Sequence, residues 1–417
     1  MSDNIDPNHI DNITNFSWHD NVSIKDNTIT YEGITFTHDV VIVAKNQLRY
    51  NDKTFKYNKS ISNQNQNRPI QQKSIIFKNC TFINLTIKDT SEDVNKIDFI
   101  GGTIENFNIK DCEIHAKFYI NKQYGENKEK ASITNLVIKD TTFHENFKLH
   151  NSIVSKITIE DTDFKKHADF FKSTFIKGSL EDDQEEQTHK DEIGFKAINF
   201  KGLALFGDTE FQQKLIFKYV TFESFSHFRK SKLPYGLDLD YANIQNEMNF
   251  FDVEELDTKE AKNNTSQETY RIIKHNFEKI GNKIEANKYF AFELEQKKIN
   301  LEINKSSKWT DYIVFQINWL SSEFGTNWRR VLGLICCIGF MTVGFVHFEL
   351  LKQLFFHPSL FKLEYVMKAV NEFFQYLYIL NKSEALISHP ATLLFNKITL
   401  GYLYYQFLIS IRKDTRK

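Results

Sequence analysis

The chain is poor in the residues that punctuate a backbone. It holds 15 glycines and 5 prolines among 417 residues, where ordinary usage runs at roughly 12% for the two together. That excludes collagen-like, linker-like and Gly/Pro-turn-rich architectures. Neither sign of charge dominates: 53 Lys and Arg stand against 54 Asp and Glu, a formal charge of −1. A strongly basic nucleic-acid-binding protein is therefore not expected. Cysteine is scarce as well. Cys80 and Cys112 sit inside polar repeats, and Cys336 and Cys337 are adjacent in an apolar run, so neither a disulfide framework nor a zinc spacing emerges. Free thiols in a reducing compartment are expected. Residues 1–15 are polar and acidic, without the basic and apolar regions of a signal peptide. No phosphate-binding loop, His-Glu-x-x-His or Gly-x-Ser-x-Gly motif occurs, and Gly101-Gly102 lacks a downstream Lys. The expectation is no enzyme, no cofactor and no metal.

What is abundant is phenylalanine, with 39 copies, and it falls into a repeat. Four segments align: Ile83–Thr90, Ile104–Cys112, Ile133–Phe143 and Lys156–Phe164. Anchored on Leu85, Phe107, Leu136 and Ile157, they are spaced by 22, 29 and 21 residues, the long interval carrying the polar insert Asn121–Lys130. A finer pattern sets a small residue two positions before a large apolar one, as in Cys80/Phe82, Thr141/Phe143, Ser173/Phe175 and Thr209/Phe211. Phe77, Phe82 and Ile87 step by five, as do Phe170, Phe175 and Leu180. Five matches neither the helical period nor that of an ordinary half-buried strand. Coils of about 20 residues stacking Phe on Phe would account for it.

Over residues 73–251 this spacing resembles the pentapeptide-repeat family, in degenerate form: Ile stands at many central positions, and the acidic run Glu181–Glu192 interrupts the pattern. The resemblance implies a mainly β protein, a right-handed pentapeptide-like β-solenoid. Residues 1–72 are expected to form a β-rich cap or irregular segment and 252–264 a charged linker. A helical hairpin follows over 265–303, opened by the capping-box candidate Thr265-Ser266-Gln267-Glu268 and turned at Gly281-Asn282. It is similar to a hairpin found between repeats and membrane part in certain bacterial pentapeptide-repeat membrane proteins. Its expected role is to cover the last coil, whose open edge would otherwise expose backbone and Phe.

The last ninety residues suggest a membrane. Residues 331–351 and 391–411 are each 21 residues long and largely apolar, enough to cross a hydrocarbon core of about 30 Å. They are the two expected transmembrane helices. Residues 304–330 read as an amphipathic juxtamembrane segment and 361–380 as an interfacial or re-entrant helix. Trp309, Trp319 and Trp328 suit interfacial anchoring. The basic flanks Arg329-Arg330 and Arg412-Lys413, with the tail 412–417, place both termini in the cytoplasm by the positive-inside rule. The expected location is the bacterial inner membrane, crossed more than once. His347, Glu349, Asn396, Lys397 and Gln406 are the polar membrane or pore candidates, with Glu349 and Lys397 near enough to pair.

Ser321-Ser322-Glu323-Phe324-Gly325-Thr326-Asn327-Trp328-Arg329-Arg330 resembles the segment leading into the membrane part of those same proteins, some of which look like two-helix cation channels. Here no glycine lies between Phe361 and Pro390, so a filter of the potassium type is not expected. The expected function is a non-enzymatic, membrane-anchored solenoid presenting a cytoplasmic protein-interaction or sensing surface. The alternative is an oligomeric pore gated by the solenoid. The expected partners are the lipid bilayer, a cytoplasmic protein and, for the pore, further copies of the chain. His115, His144, His150 and His167 fall at repeat edges and read as solvated side chains rather than a stacked metal column. The run Glu181-Asp182-Asp183 reads as solvated acid.

Overall fold

A computed structural model gives the fold. The structure describes residues 21–25, 28–43, 47–50, 53–55, 73–90, 94–121, 130–178, 192–303, 309–346, 363–380 and 390–415. The chain divides into two compact units, Met1–Asn276 and Phe277–Lys417.

The first unit collects its strands into two large, mainly parallel sheets of 15 and 10 strands. In the larger sheet Thr81–Ile87, Thr103–Ile114, Ala131–Phe143, Ser152–Phe164 and Glu192–Phe200 lie side by side. Phe107 pairs with Leu85 on one side and Leu136 on the other, and Leu136 with Ile157. The smaller sheet runs through Lys73–Lys78, Val94–Ile100, Lys117–Ile120 and Phe147–Leu149 to Met248–Asn249. Antiparallel pairing is confined, among the described strands, to the N-terminal ones.

Aromatic columns fill the space between. Phe143, Phe164, Phe200 and Phe222 stack at 5.1 to 5.2 Å between ring centroids. Phe170, Phe206, Phe228 and Phe250 stack at 4.8 to 5.3 Å. Edge-on contacts such as Phe200 against Phe206 lock one column to the other. Each buried ring contributes about 1.5–3 kcal/mol by leaving water, and each pair about 0.5–1.5 kcal/mol more. The small residues of the repeat are buried beside the rings. Ser173 Oγ, Thr209 Oγ1 and Ser231 Oγ donate to the carbonyls of Leu149, Phe170 and Phe206 at 2.8, 2.9 and 2.6 Å, so a hydroxyl is satisfied where a larger side chain would collide.

This corrects the expected architecture. A pentapeptide-like solenoid with four short faces, followed by two transmembrane helices, is not what forms. Two large parallel sheets and a set of helices, an α/β-type arrangement, take its place. The step of five is a composite. Along Ala131–Phe143 the buried positions are 131, 133, 136, 138, 141 and 143, alternating by two and then three. The five-residue spacing therefore runs through one continuous 13-residue strand. Asp111, Asp140 and Asp161 take left-handed backbone angles, with φ of 50°, 48° and 45°, a conformation Asp and Asn tolerate better than most residues.

Two helices follow the strands. Thr258 caps α1 (Lys259–Asn264), its hydroxyl accepting from Ala261 N at 3.1 Å. α2 (Gln267–Lys279) is capped by Ser266, which accepts from Thr269 N at 3.0 Å. The hydroxyl expected to cap, Thr265, instead accepts from Leu237 N at 3.1 Å, and Thr269 accepts from Leu239 N at 2.9 Å. Asn276 Oδ1 accepts from Met248 N at 2.8 Å. Thr265, Thr269 and Asn276 thus satisfy backbone donors at the end of both sheets, the places where a further strand would add.

The second unit is helical: α3 (Lys283–Ile303), α4 (Trp309–Ser322), α5 (Trp328–Val346), α6 (Leu363–Leu377) and α7 (Pro390–Thr415). Val331 and Ile335 of α5 form a core with Leu400 and Leu403 of α7. Val343 packs with Tyr376 of α6. Among the described helices only α5 is long and apolar enough to cross a membrane. α7 has the length, with 26 residues. Asn396, Lys397, Gln406 and its basic end take the place of apolar side chains. The expected second span is corrected on that ground, and a multi-pass arrangement is not supported.

Candidate functional site

The turn between α4 and α5 is built by Ser322. Its carbonyl accepts from the N–H groups of Gly325, Thr326 and Asn327, each at 3.0 Å. Glu323, Phe324 and Gly325 all take positive φ, a run of left-handed residues that glycine eases at its end. Asn327 Oδ1 then accepts from Arg330 N at 3.1 Å and caps α5. Arg330 also reaches back to Glu323 at 2.8 Å.

From this turn a seam of polar groups runs between the helices. Ser322 Oγ donates to Gln406 Oε1 at 3.0 Å, Gln406 Nε2 donates to Tyr402 OH at 3.1 Å, and the Ser321 and Tyr402 hydroxyls lie 3.1 Å apart. Further along, Asn396 Nδ2 donates to Thr342 Oγ1 at 2.9 Å, and Thr342 donates to the carbonyl of Ile338. Lys413 Nζ donates to the carbonyl of Phe324 at 3.0 Å. Asn396 and Gln406, singled out from sequence as polar membrane candidates, are both buried in this seam. Lys397 lies at its margin, its Nζ donating to the carbonyl of Tyr378 at 3.1 Å. His347 and Glu349 lie outside the described residues, so the Glu349–Lys397 pairing has no placement here.

The anchors distribute as follows. Trp309 is exposed. The Trp319 ring takes two cations, Lys298 Nζ at 3.7 Å and the Arg330 guanidinium at 5.0 Å. Arg329 lies 5.6 Å from the Trp328 ring, and Arg412 points outward. Between these groups the outer faces are apolar. Val314 and Leu320 on α4, Phe340 and Phe345 on α5, Met367 and Phe374 on α6, and Phe395 and Leu408 on α7 are all exposed, Phe345 to 78%. Lone exposed apolar residues are ordinary, whereas contiguous ones mark a contact with lipid or protein.

The sheet unit carries two polar clusters built around histidines that the sequence reads as solvated side chains. His150 Nε2 lies 2.9 Å from Asp169 Oδ2, with Lys148 3.9 Å away. Burial pushes the Asp169 carboxyl up, but the His150 hydrogen bond and charge, Lys148 and the Phe171 N–H together outweigh it and hold it below the usual carboxylate range. Burial holds His227 below the usual imidazole range, against the pull of Asp169. At another edge His115 and His144 stack with centroids 4.0 Å apart, and His144 Nε2 lies 2.6 Å from Glu113 Oε2. Burial pushes the Cys80 and Cys112 thiols each up to about 11.

No family model matches the chain, and neither a curated protein nor a solved structure matches it. The resemblance to pentapeptide-repeat proteins is thus not identified by any comparison.

Proposed function

We propose that the chain is a non-enzymatic, membrane-attached interaction protein. The helical unit holds it to a bilayer, with α5 as the candidate span, and the sheet unit offers a surface to a protein partner. The carrying observation is the exposed apolar cover shared by α4, α5, α6 and α7 around a seam whose polar groups bond inward. In a bilayer that distribution is favourable, because polar side chains find partners within the protein and apolar ones meet acyl chains. In this reading Arg329 and Arg330, at the start of α5, lie on the cytoplasmic side of a bacterial inner membrane, and the sheet unit with them.

Two features support an interaction surface. Tyr219 and Tyr241 are exposed to 59% and 65%, their rings 5.8 Å apart. Tyr219 also holds φ at 60°, a conformation that costs a bulky residue about 1–3 kcal/mol. The inward-bonded seam supports an anchor over a pore, since a conducting lumen needs polar groups turned towards water.

Flotation of the full-length protein with phospholipid vesicles, followed by alkaline carbonate extraction, tests the membrane half. Carbonate-resistant flotation is expected, and its loss in a Phe340→Asp/Phe345→Asp variant. A native protein that stays monomeric in the aqueous fraction overturns the reading.

A further inference from the structure

We infer that Glu113, His115 and His144 form a binding site for a divalent transition-metal ion, zinc by donor type. Their ligand atoms all lie within 4.8 Å of one another. Glu113 Oε2 is 2.6 Å from His144 Nε2 and 3.8 Å from His115 Nε2. Donors bound to one zinc at about 2.0–2.2 Å in a tetrahedron lie roughly 3.3–3.6 Å apart. The observed separations bracket that range, so small side-chain rotations admit the ion.

The three residues meet because the backbone brings them together. Ile114 and Phe143 are paired parallel neighbours, and the next residue on each strand is His115 or His144. Alternation about the buried Ile114 puts Glu113 and His115 on the same face. The backbone beneath is pinned. Glu113 N donates to Asp89 Oδ1 at 2.8 Å, His115 N to Thr90 Oγ1 at 2.7 Å and His144 N to the Ile114 carbonyl at 2.9 Å. The side chains remain accessible, with exposures of 60%, 30% and 26% in the same order.

The donor chemistry selects the ion. Two imidazoles and one carboxylate suit zinc, nickel or copper, whereas calcium and magnesium require mostly oxygen donors. The ion takes the place of the hydrogen bond between His144 and Glu113. Three protein donors leave a fourth position for water or a ligand. His115 also lines an open groove of about 490 Å³ with Lys117, Glu145, Asn146, Lys166 and His167, in which Lys166 pairs with Glu145. The site is separate from the membrane reading and does not rest on it.

Cobalt(II) titration of the purified full-length protein, followed by its visible d–d absorption and by zinc competition, tests the site. One equivalent should bind, be displaced by zinc and be stripped by chelator. His115→Ala, His144→Ala and Glu113→Gln should each weaken binding by at least about tenfold, the lower end of what even outer partners of a metal contribute. His167→Ala, one of the groove residues, should leave cobalt affinity unchanged. Melting curves matching wild type would confirm that these surface variants fold. No saturable binding, or equal weakening by His167→Ala and His144→Ala, overturns the assignment.

Discussion

Phe164 lies sandwiched between Phe143 and Phe200, 5.1 Å from one ring and 5.2 Å from the other, with interplanar angles of 5° and 8°. It belongs to neither neighbour's strand, so it couples three strands through one side chain. Phe164→Ala should cost about 3–5 kcal/mol, the range for emptying an aromatic core site. Phe164→Leu, which refills much of the volume, should cost less. Chemical denaturation of the full-length protein, read by a probe in the sheet unit, checks both. An Ala variant within 1 kcal/mol of wild type would show that the column is not a packed core, by the same scale.

The end of the sheets yields a second expectation. The Thr269 hydroxyl accepts from Leu239 N and lies 3.1 Å from Asp240 Oδ1. Thr269→Val keeps the shape and removes the acceptor, leaving a buried N–H unpaired at about 1–3 kcal/mol. Thr269→Ser should restore most of it. Hydrogen exchange at the Leu239 amide is the direct reading: protection should fall in the Val variant and return in the Ser variant.

How far these features can be read from sequence depends on their range. Leu85, Phe107, Leu136 and Ile157, the anchors of the repeat, are true lateral neighbours. The step of five was visible too, yet four short faces and two plus three within one long strand produce the same spacing. Spacing alone does not separate them. The metal-site trio was legible in principle. His115 and His144 each fall eight residues after their anchors, Phe107 and Leu136, which places them side by side. The insert between the strands makes the histidines 29 residues apart in sequence and hides the match. The capping role passed from Thr265 to Ser266 because the Leu237 N–H, distant in sequence, claims the Thr265 hydroxyl. α7 reads as a second span because its polar residues are spread out along the sequence; packing buries Asn396, Gln406 and Ser410 and leaves Arg412 exposed.

The seam predicts non-additivity. Asn396 donates to Thr342, while its own Oδ1 is buried without a hydrogen-bond partner among the described residues. Thr342→Val strands the Asn396 amide completely and should destabilise the helical unit by about 1–3 kcal/mol. Adding Asn396→Leu should recover much of the loss, because removing both partners costs less than orphaning one. Thermal melts of the four combinations in detergent give the coupling. Additive losses would show that the two side chains do not meet.

Asp169 and His227 fix the direction of the pH dependence. The Asp169 carboxyl titrates lower in the folded protein than when unfolded. Its contribution is therefore complete above the unfolded value near 3.9 and is lost as pH falls through the folded one. His227 is also depressed, by burial, so the unfolded chain takes up a proton first. Stability then falls as pH drops below about 6.5 and through the lower folded value. Both groups weaken the sheet unit on the acid side, in two separate windows. His227→Gln should flatten the upper window and leave the lower one, whereas Asp169→Asn should remove the lower window and widen the upper one, because it takes away a charge that favours the His227 proton. Denaturant midpoints between pH 3 and 8 read this directly. A profile unchanged by either substitution would show that neither group is titrating in the environment the fold gives it.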